Sequence, residues 1–105
     1  MTRANIYRTH HCGELRENDI GKQVRVAGWV ENIRDHGGVK FLDLRDHYGV
    51  VQVVVYDDAL LAEVNRECTV SVGGEVVKRS EDTYNAKIAT GTVEVRADSL
   101  TVLGK

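Results

Sequence analysis

Four side chains near the middle of the sequence have the chemistry to hold an unpaired nucleic-acid base. Phe41, Asp43 and Arg45 alternate along one predicted strand, and Gln52 lies on the next. Strand residues two apart point to the same face, so the three alternating residues lie side by side. An aromatic ring can stack on a base, while a guanidinium and an amide can hydrogen-bond to its edges. The pattern therefore favours binding of single-stranded nucleic acid.

The opposite parity of the same two strands predicts the core. Its apolar positions are Leu42, Leu44, Val51, Val53 and Val55. Burying these residues leaves Phe41 and Gln52 exposed on the outer face. The alternative is that Phe41 belongs to the core while Lys40 extends its ammonium group to solvent. Parity alone leaves both interpretations open.

The histidines and cysteines form no recognisable catalytic or metal-binding pattern. The four histidines are His10, His11, His36 and His47. None belongs to a nucleophile motif, and neither GxxxxGK[ST] nor HExxH occurs. Cys12 follows two histidines directly, and three adjacent residues cannot all face one ion. We therefore expect a binding module with no catalytic residues, no cofactor and no metal.

Composition predicts one soluble domain with a single core. The 105 residues are 42% hydrophobic and 29% charged, with a net charge of −2. This charge argues against an unspecific nucleic-acid binder, so binding would depend on a local patch and on base contacts. We expect free thiols at Cys12 and Cys68. Without a signal-peptide pattern or an apolar run of about 20 residues, we expect a cytoplasmic protein.

Short strands and tight turns must position the candidate residues. We predict strands at 26–34, 39–45, 50–56, 68–78 and 92–103, a helix at 57–67 and a long polar loop at 79–91. A helix between strands three and four is the order of a five-stranded Greek-key OB-fold barrel, an all-β class with one helix. We place this barrel at 23–103, after a lead-in segment, 1–22, packed on it.

Three glycine-containing stretches predict where the strands bend. Gly28 indicates a bulge or sharp bend in the first strand, so parity cannot place Arg34 securely beyond it. Gly73 and Gly74 indicate a second bend. A bulge near Asp98 would turn both apolar sets of the last strand inward. We also expect residues 12–16 to be a short extended piece that packs Leu15 on the barrel.

Long stretches of the chain are similar to a known family. They are GWVENIRDHGGVKFLDLRDHYGVVQVVV, with YRTHHCGELR upstream and EVVKRSEDTYNAKIATGTVEV downstream. Across 7–103 the chain resembles the N-terminal anticodon-binding domain of bacterial aspartyl-tRNA synthetase. Asparaginyl- and lysyl-tRNA synthetases carry related domains but differ at the RDHGG and TG-x-x-EV segments.

The resemblance implies that the partner is the anticodon loop of aspartate tRNA, with the bases G-U-C splayed out. Phe41 matches the aromatic residue that stacks on the central uridine. Residues that match polar contacts to the anticodon are Arg34, Gln52, Arg79, Asn85 and Glu94. The last three match a second region around the last anticodon base.

Two positions suggest relaxed specificity. Some family members carry Leu at the position of His36 and Asn at that of Thr83, whereas relaxed members carry His at the first and lack Asn at the second. Relaxed enzymes also charge asparagine tRNA, whose anticodon is G-U-U. We hypothesise that this domain accepts both anticodons. The alternative, that His36 is only a loop residue, stays open.

The family's catalytic domain, a class II domain that binds ATP, aspartate and magnesium, has no part in these residues. We therefore expect a non-catalytic domain that is monomeric in isolation. Three alternatives stay open: an OB-fold module for unspecific single strands, a module for a protein partner, or an engineered or reconstructed OB scaffold.

Overall fold

The computed structural model is a closed barrel of five β-strands, described for residues 9–37, 39–56, 64, 68–79 and 90–104. The strands are β1 (Gln23–His36), β2 (Val39–Asp46), β3 (Gly49–Val55), β4 (Thr69–Lys78) and β5 (Val93–Gly104). They follow one another around the barrel as β1-β2-β3-β5-β4, and β4 pairs with β1 to close it. This confirms the predicted OB-fold architecture. The predicted helix at 57–67 lies outside the described residues, apart from position 64.

The core fills the barrel as strand parity predicted. Leu42 and Leu44 of β2 are fully buried, and so are the odd-numbered valines of β3, 51 to 55. Their alternation with the polar set places Phe41 on the outer face of the barrel. The alternative interpretation, in which Phe41 belongs to the core, is therefore wrong.

Gly28 lies where β1 changes partner. Gly28 is paired with Val70 of β4, while its neighbour Trp29 is also paired with Arg45 of β2. A Cβ at Gly28 would lie 2.2 Å from the carbonyl oxygen of Arg45. Only glycine lets the two backbones approach this closely, so β1 can serve both halves of the sheet.

The bulge of β1 lies beyond this glycine. The register with β2 shifts between Val30 and Asn32, so Glu31 is the extra residue and Gly28 is not. The shift resets the parity of β1. As a result Ile33 packs against the core, and Arg34 projects from the outer face opposite Phe41.

The bulge predicted in β5 is confirmed. Ser99 pairs with Gly73 and Ala97 pairs with Gly74, which leaves Asp98 as the extra residue. The two glycines therefore mark the irregularity in β4, as expected. Both apolar sets of β5 consequently contribute to the core or pack against it: Val93, Val95, Ala97, Leu100 and Val102.

The lead-in segment forms two 3₁₀ turns, Cys12–Glu14 and Glu17–Asp19. The prediction of an extended piece at 12–16 is therefore wrong, although Leu15 is fully buried as expected. The backbone N–H of Cys12 donates to Oδ2 of the buried Asp46 at 2.7 Å, which holds the first turn on the barrel. Both cysteines are free thiols. The described residues include no helix long and apolar enough to span a membrane.

Candidate nucleic-acid interface

One row of polar residues crosses the outer face of β1, β2, β3 and β5. Asp43 on β2 lies opposite Asn32 on one side and Gln52 on the other. Gln52 in turn lies opposite Glu94 of β5, through the parallel pairing of these two strands. Directly paired residues project to the same face of a sheet, so side chains from distant parts of the sequence meet here.

Phe41 lies in the next row along β2, opposite Arg34 of β1 and Val54 of β3. Phe41 is partly buried, whereas Val54 is buried although it belongs to the outer face. The aromatic ring and the guanidinium are therefore neighbours across the β1–β2 pair. Strand parity left the face of Arg34 open, and the structure places Arg34 on the same face as Phe41.

Four side chains of this face form a continuous hydrogen-bonded chain, which we call the polar chain and which runs in the order Asp43, Arg34, Gln52 and Glu94. Arg34 donates through Nη1 to Oδ2 of Asp43 at 2.6 Å and through Nη2 to Oδ1 at 3.0 Å. The same Nη2 donates to Oε1 of Gln52 at 3.0 Å. Nε2 of Gln52 then donates to Oε1 of Glu94 at 2.8 Å.

The polar chain buries the residue that was expected to be exposed. Gln52 retains only 5% of its accessible surface, so the prediction of an exposed amide is wrong even though the predicted face is right. The reason is that β3 lies between β2 and β5. Arg34 reaches its amide from one side, and Glu94 reaches it from the other.

Burial and charge act against each other at the β5 end of the polar chain. Burial raises the pKa of Glu94, while the hydrogen bond from Gln52 and the positive charge of Arg79 lower it. Burial lowers the pKa of Arg79, an effect that the negative charge of Glu94 opposes. Arg79 is 9% exposed, and within the described part of the chain its Nε has no hydrogen-bond partner.

Arg34, which lies between Asp43 and Gln52 in the polar chain, is firmly charged. Its hydrogen bonds to Asp43 raise the pKa of the guanidinium, and burial opposes this only in part. The side chain is 40% exposed, so a ligand can reach it. Arg45 lies on the same face of β2 as Phe41, as expected, and donates from Nε to Oε1 of Glu31 at 2.7 Å.

The structure thus brings together Arg34, Phe41, Gln52 and Glu94 of the predicted site, with Arg79 electrostatically coupled to Glu94. Thr83 and Asn85 lie outside the described residues. His36 ends β1 opposite Val39, and its side chain is not among those described. The contact of Asp43 with Arg34 was missed by sequence reasoning. The only sequence signal for this contact was the F-x-D alternation of β2, which places Asp43 on the face of Phe41. The face of its partner could not be predicted, because Arg34 lies beyond the bulge at Glu31.

A closed five-stranded barrel with an aromatic ring and a polar network on the β2–β3 face defines an OB-fold binding domain. The family model for tRNA anti-codon domains, described as an OB-fold nucleic acid binding domain, matches residues 24–103. The chain belongs to this family of anticodon-binding OB-fold domains.

Curated relatives match more than nine-tenths of the chain. The aspartate–tRNA(Asp/Asn) ligase of Azorhizobium caulinodans is 52% identical over 102 residues, which cover 93% of this chain and 17% of the ligase. That of Bartonella bacilliformis is 44% identical over 103 residues, or 94% of this chain and 17% of the ligase. The resemblance to the anticodon-binding domain of aspartyl-tRNA synthetase is confirmed. The matched part is that domain and not the catalytic domain.

Solved structures share the barrel. The OBody AM2EP06, bound to hen egg-white lysozyme, superposes with a TM-score of 0.79 at 28% identity, covering 98% of this chain and 99% of that one. The asparaginyl-tRNA synthetase of Pyrococcus horikoshii superposes with a TM-score of 0.73 at 32% identity, covering 90% of this chain and 23% of the synthetase. The same fold therefore occurs both as part of a synthetase and in a chain of about this length.

Proposed function

We propose that this domain binds the anticodon loop of aspartate tRNA and holds the splayed-out bases against the outer face of β1, β2, β3 and β5. The observation that carries the proposal is the polar chain beside Phe41, on the face that OB-fold domains use for oligonucleotides. The relatives named as ligases for aspartate and asparagine tRNAs support the choice of RNA.

In this proposal Arg34 and Glu94 of the polar chain contact different parts of the anticodon. Phe41 stacks on the central uridine, and the partly exposed guanidinium of Arg34 donates to that base or to a nearby phosphate. Glu94 accepts a hydrogen bond from the exocyclic amine when the last base is a cytosine. When the last base is a uridine, its O4 oxygen instead accepts a hydrogen bond from Arg79, whose Nε has no partner within the described residues.

The decisive experiment is a titration of the domain with an aspartate anticodon hairpin and with a hairpin of scrambled loop sequence. We expect weak, salt-sensitive binding, at about micromolar Kd, that prefers the first hairpin. Phe41→Ala should weaken this binding by about 1–3 kcal/mol, the usual contribution of one stacked base. Equal affinity for the two hairpins would contradict the proposal.

Tyr48→Ala is the matched control for Phe41→Ala. Tyr48 follows the opposite end of β2, is 65% exposed and stacks on His11 with ring centroids 3.7 Å apart. The substitution Tyr48→Ala removes an aromatic ring of similar size that lies outside the proposed interface. We expect unchanged hairpin affinity. An equal loss in both variants would show that Phe41 has no special role.

We further propose that the domain accepts both G-U-C and G-U-U anticodons. The relatives' names include both tRNAs, and His36 with Thr83 follows the relaxed pattern. Titration with hairpins that differ only in the last anticodon base tests this. A preference of tenfold or more for G-U-C would reject it.

A protein partner for the same face is the second candidate, because an OBody with this fold is bound to lysozyme. Failure of both hairpins to bind would favour this candidate.

We also propose that the isolated domain is monomeric and acts in the cytoplasm. Sedimentation equilibrium across a concentration series tests the first of these two expectations.

A further inference from the structure

Asp43 is an acidic residue at the centre of the face proposed to bind RNA. Its side chain is 23% exposed and lies between Asn32 and Gln52. A carboxylate repels phosphates, and both oxygens of Asp43 already accept hydrogen bonds from Arg34, so its direct effect on RNA binding is unfavourable. A benefit that offsets this repulsion must come through the residues that Asp43 contacts.

The contacts of Asp43 orient the guanidinium of Arg34. Both carboxylate oxygens accept hydrogen bonds from it, at 2.6 and 3.0 Å, in a two-point arrangement that fixes the plane of the group. The Nε–H and the second Nη1–H are not used by the polar chain. These are the donors that the partly exposed guanidinium can offer to a ligand.

The orientation passes from Arg34 to the amide of Gln52. Arg34 has only donors, so the amide must present its oxygen to Nη2, while its nitrogen donates to Glu94. Turning the amide over would place two donors face to face. The amide is thus fixed in one direction as long as the guanidinium stays in place.

We propose that Asp43 is a positioning residue of the RNA-binding face, which orients Arg34 directly and Gln52 through Arg34. This inference rests on the proposed function. It assigns to Asp43 no contact with the RNA. It also explains why an acidic side chain occupies the centre of a face that meets a polyanion.

The sign of one mutational effect separates positioning from charge. Asp43→Asn removes a negative charge, which by itself strengthens binding to RNA. Loss of the two-point contact instead releases Arg34. We expect Asp43→Asn to bind the aspartate anticodon hairpin about tenfold more weakly. Binding as tight as that of the unmodified domain, or tighter, would overturn the proposal.

Glu31→Gln is the control for charge. Glu31 forms a similar cross-strand pair with Arg45 on the same outer face, at 2.7 Å, and is 38% exposed, but it lies outside the polar chain. The substitution removes the same charge, and we expect unchanged or slightly tighter hairpin binding. Weakening equal to that of Asp43→Asn would show that any acidic residue on this face gives the same effect.

A double-mutant cycle tests whether Asp43 acts through Arg34. In an Arg34→Ala background, Asp43→Asn should cause no further loss of affinity, because the group it positions is gone. A full additional tenfold loss would contradict the proposal. Asp43→Glu keeps the charge but displaces the guanidinium by one methylene, and we expect it to bind several-fold more weakly. Unchanged affinity in this second variant would overturn the proposal even if Asp43→Asn did not fold.

A measurement without RNA separates this inference from the proposed function. The side-chain amide protons of Gln52, observed by NMR, should exchange with solvent slowly in the unmodified domain and faster in Asp43→Asn. Glu31→Gln should leave their exchange unchanged. Equal exchange in all three proteins would refute the positioning role. A failure of the hairpin titration alone would refute only the proposed function.

Discussion

Replacing Gln52 by methionine tests the centre of the polar chain. Met has a similar length but neither donates nor accepts strongly, so Gln52→Met removes the hydrogen bonds to Arg34 and Glu94 with little change in volume. Arg34 retains its two contacts with Asp43 and is 40% exposed, so water can replace the lost partner. Glu94 has no such second contact within the polar chain. The cost should therefore come mainly from Glu94.

The size of this cost follows from the charge and burial of Glu94. A hydrogen bond to a charged group contributes about 1.5–3 kcal/mol, and partial exposure of Glu94 reduces this value. Burial of the apolar thioether of the introduced methionine offsets a further part of the lost hydrogen-bond energy. We expect the free energy of unfolding to fall by about 1–2 kcal/mol where Glu94 is ionised.

The loss should depend on pH. The hydrogen bond from Gln52 lowers the pKa of Glu94, so its removal raises that pKa further above its ordinary value. A protonated Glu94 has no charge to leave unpaired, and the loss of stability should be larger at about pH 8 than at about pH 5. Denaturant unfolding of both proteins at the two pH values measures the difference.

Gln23→Met is the control for this substitution. Gln23 is exposed and donates to Oδ2 of Asp98 at 2.9 Å, so it also hydrogen-bonds a carboxylate, but on the surface. We expect a change within about 0.5 kcal/mol at either pH. If Gln52→Met is equally harmless, or if its cost is the same at both pH values, the amide does not hold the charge of Glu94.

Two further predictions concern Gly28 and Glu94. Gly28→Ala should destabilise the barrel by about 3 kcal/mol or more in thermal unfolding. The new Cβ would lie 2.2 Å from the backbone oxygen of Arg45, which cannot move without displacing β2. A variant as stable as the unmodified domain would contradict the close approach of β1 and β2. The raised pKa of Glu94 means that the folded state binds its proton more tightly than the unfolded state, so stability is lost as pH rises from the ordinary value of 4.5 through the folded pKa. Glu94→Gln should remove this loss, and identical pH profiles of the two proteins would exclude it.

Local sequence patterns predicted the features that depend on neighbouring residues. In β5 the change of apolar parity between Val95 and Leu100 required an extra residue, and Asp98 is that residue. The bulge at Glu31 had no comparable signal. Gly28 indicated a bend, and the change of pairing partner does occur there, but the register shift three residues later depends on how β1 meets β2.

Features set by contacts between distant residues could not be predicted in this way. Strand parity predicted the face on which Gln52 lies. The burial of Gln52, however, depends on contacts with Arg34 of β1 and Glu94 of β5. The turn at Cys12 is held by Asp46, 34 residues away, so its own sequence suggested an extended piece. Strand parity predicts which face a residue occupies. It does not predict which side chains from other strands cover it.

The short parallel pairing between β3 and β5, which we call the seam, means that a ligand on the proposed interface would also stabilise the closed barrel. These strands pair at three positions only, whereas β4 and β5 pair at ten, so the barrel is fastened least extensively beside Gln52 and Glu94. A ligand that contacts both Arg34 of β1 and Glu94 of β5 would span this seam on the outer face of the barrel. Its binding energy would then add to the cost of opening the barrel, and hydrogen exchange in β3 and β5 would slow most when RNA is bound.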